Sequence, residues 1–98
     1  MDEYFPCVVQ AIPGTDYTVY AYFSDGSIHL FDVAPLIKPE TVFEPLLDIN
    51  FFRQRLTVMN DSVAWDVSGH FDPRTCIDLD PFVVYESQCV PDPLGEAV

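Results

Sequence analysis

One short run spells out a hairpin, and the residue that follows it stops the hairpin from growing. Aromatic and apolar residues alternate from Tyr17 to Phe23, Ser24-Asp25-Gly26-Ser27 supplies a turn, and Ile28 to Val33 returns before Ala34-Pro35. Asp-Gly tolerates the left-handed torsions that match strand twist. Proline cannot donate to a ladder, so the returning strand must end beside Ala34. Tyr17, Val19, Ala21 and Phe23 fall on one side of the first strand, and Thr18, Tyr20 and Tyr22 on the other. Such a strand is either covered on both faces or leaves a tyrosine face open to a partner. In the second strand Ile28 and Leu30 share one face while Phe31 and Val33 share the other. A bulge near Leu30 to Asp32, or burial of both faces, accounts for the change.

The same punctuation organises the rest of the chain. Phe5 to Ile12 reads as a strand that stops at Pro13-Gly14. Pro39 and Pro45 forbid a single helix over Leu36 to Asn50, so short helical turns are expected there, with Asp48 able to cap one. Phe52, Leu56 and Val58 alternate with Arg53, Arg55 and Thr57 as a half-buried strand would. Asn60-Asp61-Ser62 turns the chain back, and Val63, Trp65 and Val67 form the apolar face of the pairing strand. Asp80 is suited to cap a short helix that starts at Pro81, with Leu79 stapled against Val84. There is no internal repeat and no low-complexity tract. The expected fold is α+β: a small antiparallel sheet built from β-hairpins, packed with two or three short helices. Residues 1–88 are expected to form a single domain and 89–98 a flexible acidic tail.

A chain of 98 residues supports one core, hiding about two-thirds of the surface its unfolded form exposes. Its 49% hydrophobic content is too high for a disordered chain, although 16 acids against 4 bases pull toward extension. The formal charge of −12 repels phosphate backbones and anionic headgroups, which argues against direct nucleic-acid or membrane-surface binding. The same field keeps the domain soluble or speeds encounter with a basic protein. The start, Met1-Asp2-Glu3-Tyr4, lacks the basic and apolar blocks of a secretory signal, and no apolar run reaches membrane-span length. A soluble cytoplasmic protein is the resulting expectation. Cys7, Cys76 and Cys89 are an odd set with apolar or tail-like neighbours, which fits free thiols.

The residue types that carry chemistry are sparse. His70 lies near Asp66 and Asp72, whose oxygen and nitrogen donors suit a divalent ion, but a histidine in an acidic loop is more often merely solvated. Asp78 and Asp80 resemble paired carboxylates, yet capping explains Asp80 and calcium-loop spacing is absent. No nucleophile elbow, phosphate loop, HExxH helix or Cys-x-x-Cys is present. The expectation is no catalytic, cofactor or metal residue, with a metal-dependent enzyme built on His70 and its aspartates as the remote alternative. Arg53 and Arg55, half of the positive charge, are read as pointing the same way from one strand, either pairing with an acid such as Asp66 or reading a partner's carboxylates.

The order YTVYAYFSDGSIHLFDVAPLI, FEPLLDINFFRQRLTV, SVAWDVSG and DLDPFVVYE, from Tyr17 to Glu86, resembles the bacterial domain of unknown function 2442 family. Asp25-Gly26, Phe31-Asp32-Val33, Phe52, Trp65 with its following glycine, and Asp80-Pro81 with Tyr85 carry the resemblance. It implies a small α+β domain with no established activity. Some relatives look like partners of a small domain encoded beside them, as in toxin and antitoxin pairs, and others precede a helix-turn-helix domain. This chain carries no such DNA-binding domain, and its stretch His70 to Ile77 is longer than the usual connection.

These readings converge on an acidic protein-interaction domain without a cofactor, antitoxin-like or a regulatory partner of a neighbouring small protein, with Tyr20, Tyr22, His29, Arg53 and Arg55 as candidate contacts. The partner is expected to be a basic protein or a second copy of the chain, a homodimer being the structural alternative.

Overall fold

A computed structural model describes residues 4–94. Among the described residues, seven strands and two short helices make an α+β fold with two antiparallel sheets. Strands β1 (Val8–Pro13), β2 (Thr18–Phe23), β3 (Ile28–Asp32) and β7 (Gln88–Cys89) form one sheet in the order β1-β2-β3-β7. Strands β4 (Leu56–Met59), β5 (Ser62–Trp65) and β6 (Ile77–Asp78) form the other in sequence order. Helices α1 (Ile49–Gln54) and α2 (Pro81–Tyr85) and two single 3-10 turns, Ala34–Leu36 and Glu44–Leu47, complete the domain. Among the described residues no helix is long and apolar enough to cross a membrane.

The expected hairpin is present. Val19, Ala21 and Phe23 are buried, and Tyr20 and Tyr22 alternate with them on a half-buried face. Gly26 takes φ +91°, its N–H donates to Phe23 O at 3.0 Å, and Asp25 Oδ1 accepts from both the N–H and the hydroxyl of Ser27. The β2–β3 register runs unbroken from Thr18↔Asp32 to Tyr22↔Ile28, so no bulge explains the change of apolar face in β3. Both faces of β3 are covered instead, with Ile28 and His29 buried and Leu30 and Phe31 half-buried. The bulge lies in β1, between Val8 and Gln10. It turns Val8 into the core and leaves Val9 outside, 2% and 59% exposed.

In the second sheet Asn60 and Asp61 both adopt left-handed torsions, φ 57° and 61°, the geometry of a primed hairpin turn closing Met59↔Ser62. All four residues of β5 are buried. Val67, expected on the same apolar face, lies beyond the strand and is exposed. One core joins the sheets: Val8, Val19 and Phe23 from the first, Val63, Trp65 and Ile77 from the second, with Phe52, Leu46 and Val84 from the helical pieces.

Two further features of the chain differ from the sequence expectations. The strand expected to begin at Phe52 is a helix there: the carboxylate of Asp48 accepts from Asn50 N at 3.0 Å and starts α1, so β4 begins only at Leu56. The expected boundary at 88/89 falls inside β7, whose residues pair as Leu30↔Gln88 and His29↔Cys89. Val90 N then donates to Ile28 O at 2.8 Å and Tyr22 Oη to Asp92 Oδ1 at 2.6 Å, so the start of the supposed tail is tied to the sheet. Residues 95–98 of that tail lie outside the described residues.

Candidate functional site

The feature that stands out as a contact surface is a groove beside β6. Along residues 77–79 the strand period puts Ile77 and Leu79 into the core, at 7% and 6% exposure, and turns Asp78 outward. Segment 42–45, which leads into the 3-10 turn Glu44–Leu47, shares the lining of two hollows with β6. Asp78 lines both. The larger, about 460 Å³, is lined by Val42, Pro45, Val67, Thr75 and Cys76 together with Ile77 and Asp78 of β6. The smaller, about 230 Å³, is lined by Phe31, Leu36, Phe43 and Val83 together with residues 78–80. Four apolar side chains on these walls face solvent: Leu36, Val42, Val67 and Val83.

Two carboxylates border the groove. Asp78 Oδ2 accepts from Asn60 Nδ2 at 3.0 Å, and Asp80 Oδ1 accepts from Phe82 N at 2.9 Å as the cap of α2. Neither acid spends both oxygens on these bonds, so the rim can receive a cation. Burial, and then the charge of Asp78, push the Cys76 thiol above its ordinary value, which keeps it protonated rather than nucleophilic. Neither histidine lines the two hollows.

The residues singled out from sequence are scattered, and most are already engaged. His29 is buried at 6% exposure, so it is not the surface contact expected of it. Its Nδ1 lies 2.9 Å from Ser87 O and its Nε2 3.1 Å from Ser27 Oγ, and its ring packs against Phe23 and Tyr85. Tyr22 is half-buried, and its hydroxyl is occupied by Asp92. Burial first, and then that carboxylate, push the phenol up to about 12. Tyr20 is half-buried between its cross-strand neighbours Ile12 and Leu30.

Arg53 and Arg55 do not share a strand face. Arg53 sits in the last turn of α1 and donates to Gly14 O at 2.9 Å, pinning the β1–β2 turn. Arg55 follows the helix, donates to Asp66 O at 2.9 Å and lies 5.4 Å from the Phe51 ring centre. The expected partnership with Asp66 is thus made to its carbonyl. The Asp66 carboxylate turns into its own loop, where Oδ1 accepts from Gly69 N and Phe71 N at 3.1 and 3.0 Å, while His70 is exposed. Among the described residues no three His, Cys, Asp or Glu side chains gather as metal ligands would.

Known proteins add nothing to this geometry. The chain matches no family model, no curated protein and no solved structure. The groove residues were missed in the sequence because each one looks ordinary alone. The nearest signal was Val42, an apolar residue stranded between two prolines, and the in-out-in order of Ile77-Asp78-Leu79.

Proposed function

We propose that this domain works by binding another protein rather than by catalysis, that it does so in the cytoplasm, and that its contact surface is the groove between β6 and segment 42–45. The observation that carries the reading is the pair of adjoining hollows with Leu36, Val42, Val67 and Val83 exposed on their walls. Apolar side chains left in water around a concave surface are what a partner buries. The charge of −12 supports a basic partner, since it speeds encounter and keeps an apolar groove from promoting self-aggregation. The resemblance to the domain of unknown function 2442 family supports an antitoxin-like or regulatory partnership with a small neighbouring protein.

The test compares affinity capture by the native chain with capture by a Val42→Glu, Val67→Glu variant. Both positions are exposed, at 72% and 40%, so the variant should retain the native melting transition. The expected result is a partner held by the native chain and lost with the variant. Identical sets of captured proteins from both would overturn the reading.

A further inference from the structure

β6 is the outer strand of its sheet. Ile77 pairs with Trp65, and Leu79 N donates to Val63 O at 3.0 Å, so residues 77 and 79 direct their main-chain groups toward β5. Successive residues of an antiparallel strand turn these groups to opposite sides. The N–H and C=O of Asp78 therefore point away from β5, onto the open edge that borders the groove. An unpaired edge is a template for another strand, and proteins usually cover, bulge or shorten such edges. Here two hollows border the strand, and Asp78 lines both of them.

Resting on the groove reading above, we propose that β6 receives an extended peptide segment of the partner as an added antiparallel strand, with an apolar-basic-apolar alternation centred on Asp78. Main-chain bonds supply affinity in strand addition, and pockets for alternate side chains supply specificity. The residue opposite Asp78 would exchange both main-chain bonds with it and point its side chain to the same face as the Asp78 carboxylate, where Lys or Arg makes a cross-strand pair. Its two neighbours point the other way, as Ile77 and Leu79 do, toward the two hollows. A second copy of this chain fits poorly. Two-fold pairing centred on Asp78 would set two carboxylates directly across from each other, and two molecules of −12 repel.

The probe is a blocked peptide, Thr-Val-Arg-Val-Thr, titrated to millimolar against the full chain while backbone amide resonances are followed. The expected result is saturable binding that shifts Ile77, Asp78 and Leu79. N-methylation of the central residue should weaken it by up to about tenfold, the loss of one main-chain bond. An Arg→Glu peptide and Asp78→Asn should both bind more weakly, while Asp78→Asn keeps an acceptor for Asn60. Binding that shifts Val42 and Val67 but ignores N-methylation overturns strand addition and leaves the groove reading standing. An inert peptide overturns strand addition too, and the groove reading then falls only if capture is also indifferent to Val42→Glu, Val67→Glu. A dimer in sedimentation that Asp78→Asn strengthens overturns the peptide in favour of a second copy.

Discussion

Trp65 ties the two halves of the core through one polar atom. Its ring is fully buried, and its indole N–H donates to Phe52 O at 2.9 Å. Trp65→Phe leaves that carbonyl buried without a donor, which should destabilise the domain by about 1–3 kcal/mol before the lost volume adds to it. Urea denaturation of the two proteins measures the difference. Inward-facing Val63 and Trp65 were legible from alternation alone, whereas His29 was not, because a polar residue on a strand reads as outward until its hydrogen-bond partners are placed. Those partners, Ser27 and Ser87, are separated from it by 2 and 58 positions, and only the nearer one is visible in sequence.

The phenols carry a second residue-scale prediction. A group held above its ordinary value binds its proton more tightly in the folded chain, so its contribution is whole below that value and disappears as pH rises through the folded one. For Tyr22 the window runs from 10.0 to about 12. The hydrogen bond to Asp25 likewise raises Tyr85, and Asp25 in turn is held low by Ser27 first and then by Tyr85. The Asp25 contribution runs the other way: it is present above the ordinary carboxylate value and lost as pH falls through the depressed one. Alkaline spectrophotometric titration should show tyrosinate forming in a late step that Tyr22→Phe diminishes, the raised Tyr85 remaining. A titration unchanged by that substitution would contradict the Tyr22–Asp92 contact.

At the scale of elements, capping residues decide where alternation stops being trustworthy. Residues 52–58 fit a strand by period, yet Asp48 organises the first turn of α1 and carries Phe52 into the core on a helix. A local hydrogen bond therefore overrides the period, and it also separates Arg53 from Arg55, which sequence had put on one face. Asp48→Ala should cost about 1 kcal/mol in thermal or urea unfolding, and Asp80→Ala, which removes the equivalent cap of α2, should cost a similar amount. An Asp48→Ala variant with native stability would mean that packing of Phe52 alone holds the helix. The turns were the readable elements: Asp25-Gly26, Asn60-Asp61 and Pro81 each stand where their torsions or missing donor require. β6 and β7, two residues each, have no period long enough to read.

At the scale of the whole molecule, the groove could not be read from sequence because its walls come from segments far apart in the chain, 31–45, 67 and 75–83, brought together only when both sheets close on one core. Net charge, by contrast, was fully legible and has a consequence for the folded state. Sixteen acids and 4 bases crowd a domain whose radius of gyration is 13.3 Å, while screening in dilute buffer extends over about 30 Å at 0.01 M salt and about 8 Å at 0.15 M. In dilute buffer nearly every carboxylate therefore feels the others, and both arginines beside α1 are spent on carbonyls rather than on acids. Folding compresses this charge, so screening should favour the folded chain. The melting temperature should accordingly rise as sodium chloride is raised from about 0.01 to 0.15 M, with most of the gain at the low end. Binding of a cationic partner should weaken over the same range, because the field that destabilises the free domain is the one that attracts it. Opposite salt trends for stability and affinity in one buffer series separate electrostatic recognition from purely apolar docking, for which added salt would leave affinity level or strengthen it.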